Sequence, residues 1–287
     1  MRGGDGVEGV GGGGGAFVRA VSRSLDEVEA IARAGAVVNE ALRAALGVCC
    51  SGRTTAEVDE AAGRVIRERG GAALFRGYRQ GGAPPFPGDA CVSVNEEVVH
   101  GVPSGSRVLA PGDLVSVDVG VRLGGWCADS AATVVVGGGG DGGGRDLISA
   151  TRGVLGAARD LMEPGIWWSS VAMEMERLTR HSGFGFVAEF VGHGIGRELH
   201  ESPKAPSYWA GYAGPDFELR EGVVLAVEPL LASGAADRLG RVGVEVAEDG
   251  WTVRLRGGGV ACHEECVLAV APGGGRVLSG ISLDGGV

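Results

Sequence analysis

The chain has 287 residues, 44% hydrophobic and 22% charged, with a formal net charge of −10. That is ordinary for a globular protein and long enough for one large core or two modest ones. The acidic excess argues against a broad nucleic-acid or anionic-membrane surface, which needs a basic excess, and it supplies oxygen donors for hard cations. Six cysteines do not make a disulfide scaffold at this length, and Cys49 and Cys50 are neighbours. The N-terminus lacks the apolar stretch of a signal peptide, and no apolar run approaches the roughly 20 residues that span a bilayer. A reduced, cytoplasmic protein is expected.

Glycine accounts for 56 residues and is concentrated in blocks. Nine of residues 1–15 are Gly, and the segment is expected to bury too little surface to order itself. Residues 25–47 carry apolar side chains at helical spacing. Thr54-Thr55-Ala56-Glu57 is a capping box that opens a helix to about 69. GGAPPFPGD (81–89) is a loop stiffened by prolines, and GGGGDGGG (137–144) reads as a flexible connection. A second helix pair is predicted over 146–162 and 168–182. Strand patterns fall at 91–94, 114–121, 126–136, 223–231, 242–247, 251–256 and 260–270. The order helices, strands, helices, strands predicts an α+β fold of two similar halves packed as one domain over 21–275, with tails over 1–20 and 276–287. A doubly wound sheet fits less well, because strands do not alternate singly with helices.

LVSVDVGVRLGGWCADSAATVVV (114–136) reads as a hairpin. A two-residue turn at Leu123-Gly124 sets Asp118 opposite Asp129, with Cβ atoms about 5 Å apart on one face. The strand is apolar on its other face and around the acids, so the pair needs a shared proton or a cation. VGHGIGRELHESP (191–203) lacks the third glycine of a dinucleotide loop and the four-residue spacing of a helical zinc motif. Read as irregular glycine-rich chain, it can hold His193 and His200 at one site. VVLAVEPLL (223–231) buries Glu228 in a run with no other charge, so Glu228 is paired, for instance with Arg241, or ligating. In ACHEECVLAV (261–270), Glu264 and Glu265 face opposite sides, so one of them can join a given site. Cys262, His263 and Cys266 make half a zinc knuckle with no second half. Two Asp, two Glu and a His exceed the ligand set of a mononuclear catalytic zinc and suit two divalent cations about 3.5–4 Å apart, bridged by carboxylates and a water-derived hydroxide.

From about residue 22 to 271 the chain resembles a type I methionine aminopeptidase of the bacterial kind, in peptidase family M24. The resemblance rests on SVNEEVVHGVP (93–103), LVSVDVG with CADSA, GHGIGRELHESP, LAVEPL and DGWTVRLRGGGVACHEEC, in the same order and spacing. It implies a "pita-bread" fold, two pseudo-symmetric halves around a central dinuclear metal site. It implies metal ligation by Asp118, Asp129, His193, Glu228 and Glu265, with Glu264 as the fallback for the last. Glu228 is implied as proton shuttle, His100 as a group near the substrate's amino end, and His200 as a hydrogen-bond partner of its peptide group. The methionine pocket would use Cys91, Phe86, Leu199, Trp251 and Tyr78. The stretch from Tyr78 to Cys91 is about five residues longer than usual, which bears on Tyr78's place. His181 reads as surface.

The reaction implied is removal of the N-terminal methionine from nascent chains with a small second residue, by metal-hydroxide attack on the first peptide bond. The metal could be Co, Mn, Fe, Zn or Ni. A monomer without nucleic-acid or membrane contacts is expected, and a ribosome contact stays open. Two other readings remain. An aminopeptidase P or prolidase usually adds an N-terminal domain, and a non-catalytic protein of the same fold should have lost ligands.

Overall fold

The computed structural model describes residues 16–138, 143–281 and 283. The glycine tail expected over 1–15 and the middle of the 137–144 block lie outside the described residues. Helices α1 (Leu25–Val48) and α2 (Thr55–Glu68) each open on a full capping box, Ser24 with Glu27 and Thr54 with Glu57. These reciprocal bonds satisfy N-terminal groups that a helix leaves without partners. Helix α3 (Gly143–Leu161) leads into α4 (Trp168–Ser182), which ends on Gly183 in the left-handed conformation.

Each helix pair covers its own core. Ile31, Val38 and Leu42 of α1 and Ile66 of α2 pack on Val115, Val117, Val119 and Val121. Leu147, Leu155 and Met175 of α3 and α4 pack on Leu225, Val227 and Leu268. Strands Val224–Val227 and Cys266–Ala269 run between the two cores. Val224, Ala226, Val267 and Ala269 face the first core, and Leu225, Val227, Cys266 and Leu268 face the second. Both faces are buried, which is why these strands read as unbroken apolar runs. They belong to a five-stranded antiparallel sheet in the order Arg276–Ser279, Cys266–Ala269, Val224–Val227, Gly192–Gly194, Glu201–Ala205.

The termini differ from the tails expected. Arg276–Ser279 is an edge strand whose Leu278 and Ser279 are buried, and α1 packs on it. At the other end Val18 donates its N–H to the Asp216 carbonyl, and Ala20 is buried.

The long hairpin forms from Leu114–Leu123 and Trp126–Val135, but its turn is Gly124-Gly125 instead of Leu123-Gly124. Both glycines have positive φ, 58° and 79°, as the tight turn that suits a twisted hairpin requires, and leucine would be strained there. The shift moves the pairing by two residues. Asp118 stands opposite Ala131 and Asp129 opposite Gly120. Facing repeats every two residues, so the aspartates stay on one face as diagonal neighbours.

The two late apolar runs are each split where their acids stand. Val224–Val227 pairs with Cys266–Ala269, then Leu230–Ala232 pairs with Ala261–His263 in a separate three-stranded sheet. Pro229 has no N–H to continue the ladder. Both partners therefore change sheets at one level, at Glu228-Pro229 and at Glu264-Glu265. Val244–Val246 and Val253–Leu255 join Glu97–Val99 in another three-stranded sheet.

The C-terminal strand lies so close to α1 that a Cβ on Gly35 would stand 2.1 Å from the Leu278 carbonyl oxygen. Gly35→Ala should cost about 1–3 kcal/mol, because backbone on both sides resists the shift. Urea unfolding should show a lower midpoint with an unchanged slope.

Candidate metal centre and active site

One cavity of about 570 Å³ is lined by all twelve residues singled out in the sequence: Asp118, Asp129, His193, Glu228, Glu265, His100, His200, Tyr78, Phe86, Cys91, Leu199 and Trp251. Its floor is carboxylate. Asp118 and Asp129 come from the hairpin's inner face, and Glu228 and Glu265 from the two places where paired strands leave one sheet for another. Asp129, His193 and Glu265 offer donor atoms that lie within 4.8 Å of one another.

His193 sits in the short strand Gly192–Gly194, where the sequence predicted irregular chain. The strand is confined by neighbouring backbone. A Cβ on Gly192 would stand 2.4 Å from the Ala226 carbonyl oxygen, and one on Gly194 2.5 Å from that of Ser202. His193 Nδ1 donates to the Gly194 carbonyl at 2.9 Å, which leaves Nε2 as the nitrogen with a free lone pair. Burial, helped by His200, pushes its pKa down to about 4, so the ring is neutral at pH 7.

The acids are perturbed in the opposite sense. Burial pushes Asp129 up to about 7. Burial and the Asp129 charge push Glu228 up to about 8. Asp118 and Glu265 are raised well above the usual carboxylate range, first by burial and then by the acids around them. Asp118 Oδ1 is buried without a hydrogen-bond partner, as is His263 Nε2. Four carboxylates and a neutral imidazole around an unsatisfied oxygen are a set that stays ionised only with positive charge among them. Mixed oxygen and nitrogen donors of this kind fit divalent transition metals.

The two adjacent glutamates divide as alternation requires. Glu264 turns away from the cavity and pairs with Arg152 Nε at 3.1 Å, accepting also from the Thr133 N–H. Glu265 lines the cavity. Arg241 pairs with Asp237 and not with Glu228. His263 Nε2 lies 3.8 Å from Glu228 and 3.7 Å from Glu265. His263 stands two residues before Glu265, the spacing that the resemblance implied, and both line the cavity. Phe75, Phe190 and Lys204 also line the cavity, and no motif marks them; Val99 lines it too, from within SVNEEVVHGVP. His181 is exposed.

Beside the acids is a small apolar cluster of Phe86, Cys91 and Trp251, with Phe75 and Tyr78 against it. Cys91 pairs across the sheet with Asp118, so the cluster adjoins the carboxylates through one strand pairing. Tyr78 keeps its place despite the longer loop. The Gly77 N–H donates to the Phe86 carbonyl and the Phe86 N–H to the Tyr78 carbonyl, closing the loop at its base. Trp251 Nε1 donates to the Pro84 carbonyl at 2.7 Å, which ties this loop to the pocket wall. The Tyr78 hydroxyl lies 3.2 Å from His200 Nδ1. His100 adopts φ 58°, rare for a residue with a side chain, and its ring stands edge-on to Phe190. Burial lowers His100 to about 4 and lowers His200 as well.

Residues 29–270 match the model of metallopeptidase family M24. Methionine aminopeptidase 1 of Mycobacterium tuberculosis is 41% identical over 263 residues, 90% of this chain and 94% of that protein. Methionine aminopeptidase 1 of Bacillus subtilis is 36% identical, over 79% of this chain and 86% of its own length. The crystal structure of the Thermotoga maritima methionine aminopeptidase superposes with a TM-score of 0.82 at 35% identity, covering 91% of this chain and all of that one. Prolidase from Pyrococcus furiosus, at 19% identity and a TM-score of 0.69, shares the fold alone. The fold is thus the pita-bread fold, and the prolidase-like alternative is not favoured. Among the described residues, no helix is long and apolar enough to cross a membrane. With its divalent-metal donors and hydrolase relatives, the chain belongs to metallopeptidase family M24, among the methionine aminopeptidases.

Proposed function

We propose that this cavity releases the N-terminal methionine of nascent chains whose second residue is small. The observation that carries the reading is the adjacency of a buried five-donor set to a pocket of one thiol and three aromatic rings. Asp118, Asp129, His193, Glu228 and Glu265 would hold the divalent ions. When bound, such ions polarise a carbonyl and lower the pKa of water.

The protein's own groups do the rest. Cys91, Phe86, Leu199, Trp251 and Tyr78 would take the methionine side chain, since polarisable sulfur and ring edges suit a thioether. His100 would sit near the substrate's amino end. The Tyr78 hydroxyl, by donating to His200 Nδ1, would leave Nε2–H free to donate to the peptide group as negative charge develops. Its lowered pKa keeps His200 neutral, so this donor carries no competing charge. Glu228, which reaches the cavity among the metal donors, would take a proton and pass it to the leaving amine.

Metal-reconstituted protein should release methionine from Met-Ala-Ser and leave Met-Trp-Ser nearly intact. No release from either peptide with any of the five metals sinks the reading. Asp118→Asn should lower bound metal, read by elemental analysis, together with activity. His200→Ala should lower kcat on the order of 10²-fold at unchanged metal content.

The raised acids also set a stability profile. Between about pH 7.5 and 8.5 histidines are neutral in the fold and nearly so in the unfolded chain, whereas the cavity acids hold protons in the fold that the unfolded chain has lost. Stability of the metal-free protein should therefore fall as pH rises through that window, with Asp129 and Glu228 titrating at about 7 and 8. Calorimetry in chelator should show a declining Tm, and the rise on adding divalent metal should be larger at about pH 8.5 than at about pH 7.5.

A further inference from the structure

We propose that Glu201 is the positioning residue of His200, held in that role by Arg23 from the segment before α1. The inference rests on the role given to His200 above. The chain from Ile195 to His200 is irregular, and its backbone donors need partners. Glu201 supplies them. Its Oε1 accepts from the Arg197 N–H at 2.8 Å and the Glu198 N–H at 3.1 Å, folding the loop back on the residue next to His200. Its Oε2 accepts from Arg23 Nη2. Both side chains are largely buried, 20% and 12% exposed.

Space is as restricted as bonding. A Cβ on Gly196 would stand 2.4 Å from Arg23 Nη2 and 2.9 Å from Glu201 Oε1, so only glycine lets the pair form beneath the loop. Arg23 is fixed at its own backbone, donating N–H to the Gly222 carbonyl at 2.7 Å. The Trp126 ring has the Arg197 guanidinium 3.7 Å above it and that of Arg23 at 5.6 Å. The loop is also tied to the hairpin turn, where Arg122 Nη1 donates to the Arg197 carbonyl at 2.6 Å and the Cys127 N–H to that of Gly196 at 2.8 Å.

Among the described residues, the His200 ring has one hydrogen-bond partner, the Tyr78 hydroxyl. A ring with one such tether takes its placement from the backbone that carries it, and Glu201 is the group that sets that backbone from within. Arg23 lies outside residues 29–270, the span that matches the family, so the strap joins a peripheral segment to the substrate groups.

The test is a double-mutant cycle on the metal-loaded full chain with an amidated Met-Ala-Ser peptide. Glu201→Gln should lower kcat ~10-fold or more, with metal content and Tm close to the starting protein, as for a group that orients a functional neighbour. In a His200→Ala background the same substitution should change kcat less than about 2-fold, because its effect runs through the missing ring. Arg23→Ala should follow the same pattern, and Arg23→Lys should recover most of the rate. It replaces Glu201→Gln in the cycle if that variant does not fold. Equal losses in both backgrounds, or a loss confined to Tm, overturn the proposal. If His200→Ala alone leaves kcat unchanged while the peptide is still cleaved, the role of His200 has failed and this inference with it. If no variant, the starting protein included, cleaves the peptide, the aminopeptidase reading is what fails.

Discussion

Four carboxylates share one buried cavity, and that constraint organises the rest of the molecule. Burial alone pushes each acid toward its neutral form, and neighbouring charges push Asp118, Glu228 and Glu265 further. The same low-dielectric surroundings strip the proton from the histidines facing them. A site of neutral acids and neutral imidazoles is what this packing yields with nothing bound. Divalent cations reverse the acid side of that balance, because they replace the missing solvent and let every oxygen ionise. The neutral imidazoles would then serve in their proposed roles, as ligand and donors, without repelling the metal. One electrostatic condition therefore prepares both the metal ligands and the substrate groups.

Bringing acids from separate strands to one point requires interrupted sheet structure. A regular strand aims successive side chains to opposite faces and spaces same-face residues by nearly 7 Å. Glu228 and Glu265 avoid this by standing where two paired strands change sheets together, at Pro229 and at the Glu264-Glu265 step. His193 reaches the site because the strand that carries it has no side chain on either neighbour, which lets the carbonyls of Ala226 and Ser202 close in. The glycines of the GHG motif thus serve packing between backbones. The bends and close approaches are held by two helix pairs whose cores meet across Val224–Val227 and Cys266–Ala269.

Sequence periodicity revealed the helices and the long hairpin because these have strong local signals: capping boxes, a 3.6-residue apolar spacing, alternating valines. It misread the features that depend on tertiary context. The hairpin turn was misplaced by one residue because only backbone conformation says which two of Leu123, Gly124 and Gly125 form it. The error left the aspartates on one face, since facing depends on parity. The runs at 223–231 and 260–270 looked continuous because both sides of the break are equally apolar, and a single proline was the one mark of the sheet change. Gly192–Gly194 looked irregular because a strand of glycines carries no side-chain alternation. Arg276–Ser279 looked like a tail because four residues are too few for a pattern. Nine of the cavity's twelve named residues lie in the motifs that carry the resemblance, whereas Phe75 and Phe190 reach it through folding of unremarkable apolar sequence.

The extra residues between Tyr78 and Cys91 show why a pocket can vary in length without losing its geometry. The cost of lengthening a loop grows slowly with its size when its ends stay fixed. Here the ends are fixed by the reciprocal bonds between Gly77, Tyr78 and Phe86. Tyr78 and Phe86 stand just inside that closure and the added chain just outside it, so the insertion does not displace either ring. The loop then acquires a contact of its own, the Pro84 carbonyl that satisfies the Trp251 indole. Since a buried indole N–H needs an acceptor, the loop completes the pocket wall it was expected to disturb. On the opposite side Cys91 is held against Asp118 by the central sheet. The thiol proposed to meet the substrate's thioether and the carboxylate proposed to hold metal therefore share one strand pairing, so one hydrogen-bonded ladder would set both pocket depth and metal position.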